Sequence, residues 1–201
     1  LRATSPSDIT PFDAERSGTI FSEGAGVLVV ESEEHAAARG ARPLCELAGT
    51  AVNNDAYHMT APEKEGRGIA RLMRLAMADA GVGPEDVQHV NLHGTGTKYN
   101  DLIETRAIKA VFGEDASRLV LTANKSMLGH SMGAAGAHES ICAVKSLLEG
   151  LVPPTVGITH PDPEGDLDYC ADGPRKVQLS CVLKNSYGIG GTNASAVFRR
   201  L

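Results

Sequence analysis

Three stretches of the chain carry side chains that packing alone does not require. HGTGT, His93 to Thr97, follows the apolar run VQHVNL. NKSMLGH sets Lys125 and His130 five residues apart across a glycine, and NSYGIGG places Asn185 ahead of a turn made of Gly188, Ile189, Gly190 and Gly191. An imidazole donates, accepts or carries a proton near neutral pH. Glycines let a backbone turn sharply and come close to a ligand, and the hydroxyls of Thr95 and Thr97, on alternate positions, can face the same ligand. HGTGT taken alone also fits a plain strand-to-helix turn with capping threonines and an imidazole bonded to nearby backbone. NKSMLGH is more telling, because a loop leading into a helix of tiny residues needs neither the lysine nor the histidine.

The elements that must position these residues follow from periodicity. GAGVLVVE, residues 24–31, is a valine-rich run that predicts a strand, and SEEHAAARG after it predicts a helix ending at Gly40. PLCELAGTAVN reads as a strand and NDAYHMTAPEKEG as a loop. A helix over residues 68–80 puts Ile69, Leu72, Met73, Ala76 and Ala80 on one face and stops at Gly81. VQHVNL is a strand, DLIETRAIKAVFG a helix with Leu102, Ile103, Ala107, Ile108 and Val111 inward, and RLVLTANKS another strand running into a loop. MGAAGAHESICAVKSLLEG predicts a long helix with Ala137, Ile141, Val144 and Leu148 on its packed face. A proline- and aspartate-rich connection follows, then VQLSCVLKNSYGIGGTNASAVFRRL as two strands joined by the glycine turn. The class is α/β with a mixed sheet whose last pair is antiparallel. In open sheets of this kind, loops at the carboxyl ends of strands converge on ligands, so the three polar loops are expected to meet.

Composition narrows the partners. The chain has 201 residues, 42% hydrophobic and 22% charged, enough for one ordinary globular core. A formal net charge of −6 without a run of Lys or Arg speaks against nucleic acid or an anionic membrane as the main partner, and an acidic partner would need a local basic patch. Arg67, Arg71 and Arg74, near the NDAYHMTAP loop at roughly helical spacing, are candidates for it, although a solvated helix face is the default for each. Cys45, Cys142, Cys170 and Cys181 are scattered without C-x-x-C pairing, which fits a reducing cytoplasm rather than a disulfide framework or zinc ribbon. A metal held by His93 and His130 would take Asp101 or Glu104 as its third ligand, but their spacing on a helix turn suits support of the loop better, so no metal is expected. GIGG as a nucleotide phosphate cradle is disfavoured because no helix follows it.

Together the motifs carry a resemblance. HGTGT, KSMLGH with GAAGAHES, and NSYGIGGTN occur in the order and spacing of β-ketoacyl-ACP synthases, the condensing enzymes of the thiolase fold, and DAYHMTAP and PFDAERSGTIFSEGAG are similar to further family segments. HGTGTKYND, with Lys98 where fatty-acid synthases commonly have Pro, resembles type II polyketide ketosynthases. The resemblance implies the C-terminal half of a layered αβαβα fold. Residues 1–40 would be the end of the N-terminal half and residues 41–201 the C-terminal half.

It also implies a chemistry. Such enzymes load an acyl chain on a cysteine, decarboxylate a malonyl thioester carried by an acyl carrier protein, and join the resulting carbanion to the acyl group. His93 and His130 match the family's pair of donors to the enolate oxygen. Lys125 matches its lysine, set behind the histidines with Glu139 as a buried charge partner. Thr95 and Thr97 would bind the phosphopantetheine arm. The Ile189 N–H would serve the oxyanion of acyl transfer, and Ile189 stands where many fatty-acid enzymes have a gating Phe. His58 lies in a loop that the family places beside the site's mouth. For His35, His89, His138 and His160 a solvent-facing or locally bonded role is expected.

None of the four cysteines lies in a small-residue turn at the start of a helix, where the family keeps its nucleophile, and each reads as a small buried hydrophobe. The nucleophilic cysteine is therefore expected on an upstream N-terminal ketosynthase fragment. Further pairing as a dimer, or as a heterodimer of ketosynthase and chain-length factor, is what the family implies. A non-catalytic chain-length-factor-like subunit is the alternative. Retention of His93, Lys125 and His130 together favours the catalytic reading, because a subunit released from catalysis has no chemical need of all three.

Overall fold

The computed structural model describes residues 9–201; the first eight residues of the polar lead-in, including its Pro6, lie outside them. A five-stranded sheet has the order β1 (Glu46–Asn54), β7 (Thr192–Arg199), β6 (Cys181–Tyr187), β2 (His89–Asn91) and β3 (Val120–Thr122). β7 runs antiparallel to both β1 and β6, whereas β6, β2 and β3 are parallel. The sheet is mixed, as the pattern predicts. β2 and β3 are buried along their whole length, which is why both read as apolar runs rather than alternating ones.

Helices cover both faces. α2 (Arg67–Ala80) and α3 (Lys98–Phe112) pack on one side, where Ile69, Met73, Ile103, Ile108 and Leu183 share a core with Phe12. The Phe12 ring stacks on Tyr169 with centroids 4.0 Å apart. α2 seats directly on β1 at Gly49, where a Cβ would come within 2.4 Å of the Ala80 nitrogen. α5 (Ala135–Glu149) covers the other face with Val144 and Leu147 against Val182 and Phe198. Gly81 and Gly150 close α2 and α5 in the left-handed conformation. A short α1 (Glu33–Ala38) starts at Ser32, whose hydroxyl accepts the His35 N–H. α4 (Lys125–Leu128) is one turn, and β4 (Leu151–Val152) pairs with β5 (Arg175–Lys176) as a small separate ladder that the sequence did not suggest.

Four expectations are corrected. Residues 24–30 form no strand among the described residues, and Val27, Val29 and Val30 are exposed; an apolar run makes a strand only where a neighbour offers its backbone groups. On α5 Val144 is buried as expected, with Ala135, Glu139, Ala143 and Leu147, whereas Ala137 and Leu148 are half-buried and Ile141 is exposed. The helix is apolar on two sides: one meets the sheet, and the other meets the 24–26 segment, where a Cβ on Gly26 would strike Ala137. Leu102 is half-buried rather than core. Cys170 and Cys181 are buried, but Cys45 and Cys142 only partly so.

Candidate active site

The parallel strands β2, β3 and β6 end at one side of the sheet, so the HGTGT loop, the NKSMLGH loop and the glycine turn leave it side by side. Their residues line a cavity of about 290 Å³ with His93, His130, Met132, Ser186, Tyr187 and Gly188 in its wall.

His93 and His130 meet edge to face in its wall, ring centroids 5.6 Å apart. The Lys125 Nζ donates to the His93 carbonyl at 2.6 Å and stands 3.3 Å from His93 Nδ1. It also donates to Glu139, and both side chains are buried. Because an ammonium only donates, His93 Nδ1 is an acceptor and the ring's N–H is on Nε2. The Met132 N–H fixes His130 in the same way, donating to its Nδ1 at 3.2 Å. Met132 holds that geometry with φ at +51°, a conformation side chains other than glycine rarely adopt.

Burial pushes the His93 imidazole well below its usual range, and the charges of Lys125, Lys184 and His130 push the same way. Burial also takes His130 down to about 4, helped by Lys125 and Lys184 and opposed by Glu139. Both rings are neutral Nε2–H donors at physiological pH.

Two carboxylates hold the loop. Glu104 accepts the N–H groups of His93 and Gly94, both at 2.9 Å, and Asp101 accepts those of Thr95 and Phe12 at 3.1 Å. Burial raises Glu104 to about 7 against these bonds, and raises Asp101 as well. Thr97 occupies the position just before α3 yet makes no cap bond; its hydroxyl lies 2.9 Å from that of Thr95. That removes the capping reading, although neither threonine lines the cavity.

In the glycine turn, the Gly188, Gly190 and Gly191 N–H groups donate to the carbonyls of Thr192, Met59 and Gly188. Among these four described residues only the Ile189 N–H has no such acceptor. Its side chain is 61% exposed. His58 stays in its loop, where Nδ1 accepts from Thr60 and Ala61. His89 is fully buried and bonded to the Val120 carbonyl, the local role without the solvent. Of the three arginines, Arg67 pairs with Glu63 and Arg74 donates to the Ala110 carbonyl, which leaves only Arg71 without a named partner here.

Burial raises all four cysteine thiols, Cys181 to about 11. None is a ready thiolate.

Three participants were not singled out from sequence. Arg16, from PFDAERSG, donates to the Lys98 carbonyl at 3.0 Å and the Asp13 carbonyl at 2.8 Å, pinning the far end of the HGTGT loop. Tyr187 sets its ring edge-on to His93, centroids 5.3 Å apart. Lys184 lies buried behind the site; a lysine inside the apolar strand VLKNS was the signal for it.

Residues 44–159 match the family described as beta-ketoacyl synthase, C-terminal domain. Nodulation protein E of Rhizobium meliloti is 46% identical over 201 residues, 100% of this chain and 50% of that protein. The 3-oxoacyl-(acyl-carrier-protein) synthase 2 of Synechocystis sp. is 43% identical over 190 residues, 94% of this chain and 46% of that protein. Among solved structures, a type II polyketide synthase acyl-carrier protein in complex with its ketosynthase bound to the hexaketide superposes with a TM-score of 0.95 at 38% identity, over 100% of this chain and 50% of that one. The chain spans about half the length of the curated relatives it matches.

Proposed function

The chain belongs to the β-ketoacyl synthase family through its C-terminal domain, and on that premise we propose that it supplies the carbanion-forming side of a decarboxylative Claisen condensation. The observation that carries this is the pair of neutral imidazoles in one cavity, each with Nδ1 engaged and Nε2–H left to donate. In the reaction, the bond between the malonyl carboxylate and Cα breaks, carbon dioxide leaves, and the electron pair moves into the thioester enolate. Two N–H donors stabilise the oxygen on which that charge develops. The enolate carbon then attacks an acyl thioester carbonyl, and the cysteine thiolate departs. In this reading the Ile189 N–H serves the oxyanion of that step, and Thr95 and Thr97 serve the amides of a phosphopantetheine arm.

The cysteine is supplied by an upstream polypeptide, in this reading, because the four thiols present are all disfavoured as thiolates. Exposed Val27, Val29 and Val30 on a segment that pairs with no described strand support a partner that covers them. Residues 1–40 then belong with that partner's half and residues 41–201 form the other. Acyl carrier protein delivers the substrate, a dimer or a heterodimer with a chain-length factor is the working assembly, and a reducing cytoplasm keeps the thiols free.

The test is release of labelled carbon dioxide from malonyl-ACP by the native assembly, with intact mass spectrometry before and after iodoacetamide. Carbon dioxide release and one alkylated cysteine on a second polypeptide are expected. No release from an intact assembly overturns the catalytic reading in favour of a chain-length-factor-like subunit, and alkylation of this chain alone overturns the division of the site.

A further inference from the structure

Glu139 is shared by two buried lysines. Lys125, at the start of α4, donates to Oε1. Lys184, on β6 directly opposite Asn91 of β2, brings its Nζ to 3.0 Å from Oε2, an ion-pair contact without hydrogen-bond alignment, and donates to the Ser186 hydroxyl. All three charged side chains are at most 5% exposed. A single lysine would neutralise the carboxylate, and burying a second cation carries a desolvation cost that its pairing must offset. Packing gives no reason for it.

We propose that Lys184 is a positioning residue for the condensation chemistry: holding Oε2 of Glu139 while Lys125 holds Oε1, it fixes Lys125 against His93 and adds a second positive charge behind the imidazole pair. This rests on the decarboxylation reading above and deepens it. With both ammoniums charged, the Lys125, Glu139 and Lys184 cluster is net positive. That charge opposes protonation of His93 and His130 and favours an enolate in front of them. The charged groups bearing on Lys184 are Glu139 from α5, Lys125 from α4 and Glu104 from α3; burial lowers its own pKa and Glu139 works against that. Those bearing on the imidazoles are the same two lysines, with His130 for His93 and Glu139 for His130. Ser186 carries the arrangement to the cavity wall.

The experiment compares Lys184→Met and Lys184→Arg with wild type in the native assembly, by NMR titration of the His93 and His130 rings and by the pH profile of malonyl decarboxylation. In Lys184→Met both ring titrations are expected to rise by about 0.5–1 pH unit, since one pKa unit is a modest electrostatic change at this range. Decarboxylation is expected to fall roughly tenfold in kcat with KM little changed, and Lys184→Arg to keep the wild-type titrations. Ring titrations within about 0.2 pH unit of wild type in a folded Lys184→Met assembly overturn the proposal, as does an equal shift in Lys184→Arg. If Lys184→Met does not fold, Lys184→Gln replaces it under the same criteria. If wild type shows no decarboxylation, the functional reading fails by itself, and the ring titrations still decide the lysine.

Discussion

The imidazoles of His93 and His130 meet edge to face, with ring planes at 87°, and each surrenders its Nδ1 to a donor from its own surroundings. For His93 the donor is an ammonium and for His130 a backbone N–H. The tautomer is thus set by groups that cannot accept a proton bond in return. Both rings line one cavity, which leaves their remaining N–H groups available to one oxygen carrying developing charge there.

Removing either donor should therefore affect one chemical step. His93→Ala and His130→Ala are each expected to lower malonyl decarboxylation by about 10²–10³-fold, the usual loss for one donor at a developing oxyanion. Acyl transfer to the cysteine should fall much less. Single-turnover measurement of carbon dioxide release and of acyl loading, made separately, checks this. Near wild-type decarboxylation in either variant would refute the two-donor mechanism.

The acid limit of the reaction follows from the same rings. A donor that titrates at about 4 remains neutral through pH 5, whereas an ordinary imidazole would lose half its neutral form near 6.5. The acid limb of the decarboxylation profile is expected well below 6.5, because burial lowers both imidazoles, His130 to about 4. A limb centred on 6.5 would mean that the rings are solvated in the working enzyme.

His89 contributes to stability, not chemistry. Its Nδ1–H donates to the Val120 carbonyl, and the buried Nε2 has no partner. Burial takes its pKa to about 4, so the folded state holds it neutral while the unfolded chain protonates near 6.5. Stability from this group is complete above 6.5 and is lost as pH falls toward 4, by up to about 3 kcal/mol over that window. His89→Gln keeps a donor for Val120 without a titrating group. Denaturation at pH 7 and pH 4.5 should show a smaller acid loss for the variant, and an equal loss would assign the acid sensitivity elsewhere.

How much of this was legible in sequence depended on whether a residue's partner was local. The faces of α2 and most of α3 could be read because a helix's buried stripe is set by its own period; the α5 stripe misled because that helix is apolar on two sides and tertiary contacts chose between them. Residues 24–30 read as a strand on composition, but strand formation needs a neighbour's hydrogen bonds, which lie outside any window along the chain. In the site, His93, Lys125 and His130 stood out because polar side chains beside glycines have no packing purpose. Lys184, Tyr187 and Arg16 did not, since their meaning lies in contacts across the sheet: Lys184 with Glu139, Tyr187 with His93, Arg16 with the carbonyl of Lys98. Met132 was invisible because only its backbone acts.

The glycine turn offers a final prediction at Ile189. Its N–H has no acceptor among the described residues while Gly190 ties the turn to the Met59 carbonyl, so the backbone is anchored and the exposed side chain is next in sequence to Gly188, which lines the cavity. An aromatic ring there adds bulk next to exposed Met59 without disturbing the anchoring bonds. Ile189→Phe is therefore expected to leave acyl transfer intact and to shift the product distribution toward shorter chains, with a several-fold change in the ratio of adjacent lengths, as about 1 kcal/mol of steric discrimination would give. Mass spectrometry of products from the native assembly, supplied with acyl donors of graded length, reads the shift directly. An unchanged distribution would remove the side chain from chain-length control and leave Ile189 only its backbone N–H.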